Sequence, residues 1–211
     1  MREAKNGSEI IDEIYQKCGL SIEIISGNTE ADLIFQNKDD DELKSDVPYL
    51  FIDVGGGSTE LSLFKNKKLI ASQSFNLGTV RMLHNQINPK EWDFLDYWIE
   101  ENVRKYKNVV AIGSGGNINK LYKIAKRKTN KPLILEQLVE INSLLSKMNV
   151  SQRIAKYGLN PDRADVIVPA AKIYIHAMKA AEIHEILVPQ IGVSDGIVHQ
   201  LYEDFKQKNK H

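Results

Sequence analysis

The run Leu50-Phe51-Ile52-Asp53-Val54-Gly55-Gly56-Gly57-Ser58-Thr59-Glu60-Leu61-Ser62-Leu63 decides how this chain is read. An apolar stretch ends in an aspartate. Three glycines follow, then two hydroxyls and a glutamate, then alternating apolar and polar residues. The pattern predicts strand, tight turn, strand, with a carboxylate at the end of the first strand. Glycine has no Cβ, so the backbone can take positive φ and a ligand can come close to it. Consecutive N–H groups in such a turn form a concave anion site. A carboxylate beside a phosphate is useful when a cation lies between them, so the stretch points to a phosphate site with a divalent metal. A ligand-free hairpin is the bland alternative, but hairpin turns need only one or two glycines. The stretch lacks the Gly-Lys-Ser/Thr of a P-loop, and the strand after its glycines does not fit the dinucleotide fingerprint.

The 211 residues, 42% hydrophobic and 27% charged, suffice for one or two domains with a proper core. A formal net charge of zero argues against a dedicated nucleic-acid binder. The single cysteine, Cys18, can build neither a disulfide framework nor a cysteine zinc site, and a cytoplasmic location is expected. No apolar run approaches the roughly 18 residues of a membrane span. The N-terminus carries no signal-peptide pattern.

Outward from the glycine run, Met1 to Lys17 reads as helix, Ser21 to Ile25 as a short strand, and Thr29 to Phe35 as the start of a helix capped by Asn28. Gln36 to Val47 is an acidic loop. Strands at Tyr49–Val54, Thr59–Phe64 and Lys68–Ser74 follow so closely that they must form an antiparallel meander. A helical region opens at Gly78-Thr79-Val80-Arg81, and a second helix covers Trp92 to Tyr106. A buried strand, Val109–Ile112, runs into Gly113-Ser114-Gly115-Gly116-Asn117 and a helix at Ile118–Lys126. Gly115 and Gly116 at that helix start form a second place where phosphate can meet backbone N–H groups. Helices are expected at Leu133–Met148, Val150–Tyr157 and Pro161–Ala181. A strand at Glu185–Val188 and a last helix close the chain.

From Tyr49 the order is β-β-β-α-β-α-β-α, an α/β lobe with a mixed sheet flanked by helices. Residues 1–47 read as the end of a preceding lobe and its connecting loop, residues 48–211 as one further lobe. The chain is therefore expected to be part of a two-lobed protein.

Five segments carry a resemblance. They are Ile24-Ile25-Ser26-Gly27-Asn28-Thr29-Glu30-Ala31, Ile52 to Leu61, Gly78-Thr79-Val80-Arg81, Gly113-Ser114-Gly115-Gly116 and Ser194-Asp195-Gly196. In order and spacing the chain resembles the exopolyphosphatase / guanosine pentaphosphate phosphohydrolase (Ppx/GppA) family. The resemblance implies a ribonuclease-H-like fold of the actin / sugar kinase / heat-shock ATPase superfamily, with two lobes around a cleft. It implies Glu30 as the carboxylate that activates the attacking water, and Asp53 and Glu60 as acidic positions near metal and phosphate. Gly55, Gly56, Gly57, Ser58 and Thr59 would form the phosphate-holding turn, and Arg2 would lie on a helix close to the cleft. The family's first-lobe Asp-x-Gly-Ser-Asn-Ser loop has no counterpart here. The common adjacent glutamate pair is Thr29-Glu30, and Asp32 replaces a frequent basic residue.

Cleaving a phosphoanhydride requires an in-line water, neutralised charge and an immobilised phosphate. Mg²⁺ attached through Asp53 and Glu60, mostly via water and substrate, suits that chemistry. The expected substrates are inorganic polyphosphate and guanosine pentaphosphate. The alternatives are a catalytically incomplete phosphate- or nucleotide-binding module of the same fold, and a kinase-like or actin-like nucleotide binder. A homodimer is expected, because apolar surface that should meet a first lobe would need cover. The acid-free run Lys120, Lys123, Lys126, Arg127, Lys128 and Lys131 reads as a solvated face first and a polyanion track second. His84, His176, His184, His199 and His211 have no metal-ligand spacing.

Overall fold

The computed structural model describes residues 6–24, 46–66, 68–127, 131–189, 198, 201–202 and 205–206. Helix α1 (Gly7–Cys18) ends at Gly19, which takes the left-handed conformation and donates its N–H to the Tyr15 carbonyl, closing the last turn. After it, the expected strand at Ser21–Ile25 is not formed over residues 21–24.

Strand β1 (Tyr49–Val54) pairs antiparallel with β2 (Thr59–Lys65), which pairs antiparallel with β3 (Lys68–Phe75). This is the expected meander. Helices α2 (Thr79–Leu83) and α3 (Lys90–Asn102) lead to β4 (Val110–Ser114), which lies parallel to β1. Helix α4 (Gly116–Ile124) follows directly, then a two-residue strand β5 (Leu133–Ile134) and helix α5 (Leu135–Ser146). Next come α6 (Val150–Tyr157), α7 (Pro161–Ala164), α8 (Ile167–Ala180) and β6 (Glu185–Leu187), parallel to β4. Among the described residues, these six strands form one mixed sheet in the order β3-β2-β1-β4-β6-β5. It is the three-strand meander followed by helix-connected parallel strands that a ribonuclease-H-like lobe requires.

Two expectations are corrected. Leu133–Met148 is not all helix: Leu133 and Ile134 pair antiparallel with Ile186 and Glu185 and close the sheet edge. Ile134 stays extended as the residue before the helix, and Leu135 donates to the His184 carbonyl at 2.8 Å, so the strand passes straight into α5. Nor is Pro161–Ala181 one helix. A continuous helix would place Pro169 in its interior, where its ring clashes and a hydrogen bond is lost. The break at residues 165–166 puts Pro169 in the first turn of α8, where its missing N–H would have no partner anyway.

Alternation sorts the two sheet faces. Leu50, Ile52 and Val54 of β1 with Leu61 and Leu63 of β2 join the main core, with α8 packed on β1. Tyr49, Phe51, Phe64 and Ile112 form a smaller apolar cluster on the opposite face. Asp53 continues the Tyr49-Phe51 row at period two, so that second face changes from aromatic to charged at the strand end.

Candidate functional site

The site lies where β1 and β4 end side by side. The chain leaves β1 toward β2 on one side, and after β4 it crosses to the other. In open α/β sheets, ligands bind in the crevice at such a divergence. The register sets Asp53 opposite Glu60 on β2 and beside Ser114 on β4. Directly opposed residues of an antiparallel pair share a face, with Cβ atoms about 5 Å apart. Two carboxylates are thus held close, and like charges so placed repel unless a cation or donors intervene. Glu60 Oε1 accepts from the Ser58 hydroxyl at 2.7 Å and the Ser74 hydroxyl at 3.3 Å.

The four-residue turn Gly55–Ser58 is closed by Gly55 N–H donating to the Ser58 carbonyl at 2.9 Å. Its outer carbonyls are all taken from one side. Thr79 N–H donates to Gly55 O at 3.0 Å, Val80 N–H to Gly56 O at 2.9 Å, and Arg81 Nε to Gly57 O at 2.7 Å. In a planar trans peptide the N–H points opposite to the C=O. The N–H groups of Gly56, Gly57 and Ser58 therefore face away from α2. Among the described residues none of these three N–H groups is used in a hydrogen bond. The result is a row of three donors on the side away from α2, built without the positive φ expected of Gly55, Gly56 and Gly57. Gly78 makes it possible: a Cβ there would lie 2.2 Å from the Gly56 carbonyl oxygen. Thr59, fully buried, anchors the far end through a hydroxyl bond to the Leu77 carbonyl.

The second glycine turn sits across from the first. Gly115 has φ +90°, and a Cβ on it would meet Asp53 Oδ1 at 2.7 Å, so the carboxylate lies directly against this backbone. A Cβ on Gly116 would meet the Arg163 guanidinium at 2.8 Å. Arg163 donates to Asn117 Oδ1 at 3.2 Å, and Asn117 Nδ2 donates to the Val54 carbonyl at 3.0 Å. A buried amide thus ties an arginine of α7 to the end of β1. Behind the site, the Tyr174 hydroxyl of α8 donates to the Ser114 carbonyl at 2.9 Å, with the Ile52 carbonyl at 3.4 Å. Burial, and then the nearby Asp53 charge, push the Tyr174 phenol well above its ordinary value, so it stays a neutral donor.

The structure brings together Asp53, Gly55, Gly56, Gly57, Ser58, Thr59, Glu60, Gly115 and Gly116. Glu30 and Arg2 lie outside the described residues, as does Ser194-Asp195-Gly196. Arg163 and Tyr174 were not singled out by the sequence, and Asn117 was read only as part of its glycine run. Of the basic run, Arg127 Nε donates to the Pro132 carbonyl and Lys120 Nζ lies 3.5 Å from the Gly158 carbonyl, while Lys123 and Lys126 are exposed. His176 pairs with Asp96 at 2.7 Å and packs against the Trp92 ring in a tilted contact. Among the described residues no group of three or more His, Cys, Asp or Glu is arranged to hold a metal, and no helix is long and apolar enough to cross a membrane.

Residues 1–205 match the Ppx/GppA phosphatase family. The chain belongs to that family. It is 27% identical over 190 residues to a bifunctional 3-dehydroquinate synthase/phosphatase of Fusobacterium nucleatum, covering 79% of this chain and 28% of that protein. It is 25% identical over 207 residues to Exopolyphosphatase 2 of Mycobacterium tuberculosis, covering 87% of this chain and 65% of that protein. The crystal structure of an exopolyphosphatase from Cytophaga hutchinsonii superposes with a TM-score of 0.75 at 21% identity, over 96% of this chain and 72% of that one. This likeness shows the fold, which in the Ppx/GppA family is that of actin-like ATPases. The chain spans less than two thirds of the length of the first two relatives.

Proposed function

We propose that this chain carries the phosphate-holding half of a phosphohydrolase that removes terminal phosphate from inorganic polyphosphate or guanosine pentaphosphate. One observation carries the reading: three consecutive N–H groups face outward because every carbonyl behind them is occupied. Such a row fits a terminal phosphate group and offers little to a neutral ligand. The names of the relatives, an exopolyphosphatase among them, support the same substrate class.

In this reading the glycine turn holds the phosphate, and Arg163 beside the α4 N-terminus faces its remaining negative charge. Glu30 orients the attacking water and begins to take its proton, a role that rests on the family resemblance. The opposed Asp53 and Glu60 carboxylates fit a hard divalent cation that keeps most of its ligands as water and substrate oxygens. Bound there, Mg²⁺ would neutralise phosphate charge. Residues 1–47 are assigned to one lobe of the cleft and residues 48–211 to the other. A homodimer and a cytoplasmic location belong to the same proposal. Exposed Tyr15, Leu20, Val198 and Leu201 support an apolar contact surface, which sedimentation would test.

The test is phosphate release from polyphosphate and from guanosine pentaphosphate, with Mg²⁺ and with chelator. Release that needs the metal and falls at least about 100-fold in Glu30→Gln, with polyphosphate binding kept, supports the enzyme. Metal-independent release, or full turnover by Glu30→Gln, contradicts the mechanism. Binding without release identifies the non-catalytic module instead.

A further inference from the structure

The segment Gly78-Thr79-Val80-Arg81 has no part in the chemistry above, yet it touches every carbonyl of the glycine run. Its side chain of interest is Arg81. We infer that Arg81 is a positioning residue: it sets the phosphate turn from behind and does not itself contact the phosphate. This inference rests on the phosphate reading of the turn.

Arg81 Nε donates to Gly57 O at 2.7 Å, and the peptide that carries this carbonyl also carries the Ser58 N–H. Trans planarity makes the two point opposite ways. A side chain that bonds the carbonyl is therefore on the face away from the donor row. Backbone bonds from α2 already fix the peptides after Gly55 and Gly56, through Thr79 N–H and Val80 N–H. The peptide between Gly57 and Ser58 receives no backbone bond from α2 among the described residues, and Arg81 supplies the one it has. Glycine on the N-terminal side of that peptide leaves it free to rotate. If it turned over, a carbonyl would face the phosphate where an N–H now does. A charge-assisted bond at 2.7 Å on a half-buried guanidinium opposes that rotation.

Side-chain length makes the inference testable. Glutamine places its Nε2 at the same distance along the side chain as arginine places Nε, so Arg81→Gln keeps a donor at Gly57 O without charge. Arg81→Met has similar reach and no donor. Arg81→Lys keeps the charge but moves the nitrogen one atom further out. The chain with Mg²⁺ is titrated calorimetrically with tripolyphosphate, and KM and kcat for phosphate release are measured on the same proteins. Positioning predicts about tenfold weaker binding and a raised KM in Arg81→Met, recovery to within about threefold in Arg81→Gln, and Arg81→Lys weaker than Arg81→Gln. Direct phosphate contact predicts the reverse order, lysine better than glutamine, and that order overturns the proposal. So does Arg81→Met binding like wild type. Should Arg81→Met fail to fold, the glutamine and lysine order still decides. Wild type that binds no tripolyphosphate overturns the phosphate reading itself, a result separate from any ranking of the variants.

Discussion

Gly115 and Gly158 both hold positive φ, +90° and +57°, and the contrast between their surroundings shows what the site needs. An added Cβ at Gly158 meets nothing within 4 Å, whereas at Gly115 it meets Asp53 Oδ1 at 2.7 Å. Both alanine variants carry a backbone penalty, about 1–2 kcal/mol for the left-handed Gly158 and up to about 3 kcal/mol for Gly115, whose ψ of 172° lies in a region open essentially to glycine alone. Only Gly115→Ala must also displace a carboxylate. We expect both to lower the urea midpoint, and only Gly115→Ala to weaken Mg²⁺-dependent phosphate binding, by about tenfold or more. Calorimetry on the pair checks this, and equal binding losses would mean that Asp53 is not held by the Gly115 backbone. Asp53 and Glu60 could be read from the sequence because seven positions of a strand–turn–strand unit fix them opposite each other. Arg163 could not. It reaches Asn117 across 46 residues, and nothing local in Pro161-Asp162-Arg163 distinguishes it from a surface cation at a helix start.

At the scale of elements, the site is held by parts that bring little chemistry of their own. Helix α2 is five residues long, but its first N–H groups fix the turn. Helix α8 carries Tyr174, fully buried, as a pin between the ends of β1 and β4. The phenol's proton affinity is raised in the fold, so the sign is clear. The stabilisation it gives is whole below the ordinary phenol range near pH 10, and is lost as pH rises above it, when the unfolded chain ionises first. Tyr174→Phe should cost about 1 kcal/mol at neutral pH. The stability difference between wild type and variant should shrink and then reverse above about pH 10. Melting curves from pH 7 to 11 measure it, and a constant difference would show that the hydroxyl titrates normally. The meander and the two glycine-ended strands were legible because alternation and turn residues are local signals. Strand β5 was not, since two residues carry no period and only β6 defines them. The α7–α8 break was legible in principle from Pro169, where helical apolar spacing on both sides outweighed one proline.

The whole molecule has no net charge, yet its opposed carboxylates and its cationic arginine are drawn to the ends of the central strands. Ligand and metal are therefore expected to act together on stability. A ligand that binds only the folded state at about 100 times its Kd adds about 2.7 kcal/mol. For a chain of this size that is roughly 5–10 °C in Tm. Mg²⁺ with tripolyphosphate should give a shift of that order, and Asp53→Asn should remove most of it. An unchanged shift in Asp53→Asn would place the metal elsewhere. The lobe's architecture was readable as a sequence of elements, while residues that meet across the sheet emerge only once the chain is folded.

The central claim is that the outward N–H groups of Gly56, Gly57 and Ser58 hold the phosphate, and amide NMR of the ¹⁵N-labelled chain tests it most directly. Adding tripolyphosphate with Mg²⁺ should move these three amide signals downfield by more than any others near the turn. The Thr79 and Val80 amides, which are bonded to the back of it, should move much less. Saturable binding that leaves the Gly56, Gly57 and Ser58 amides in place would contradict the account.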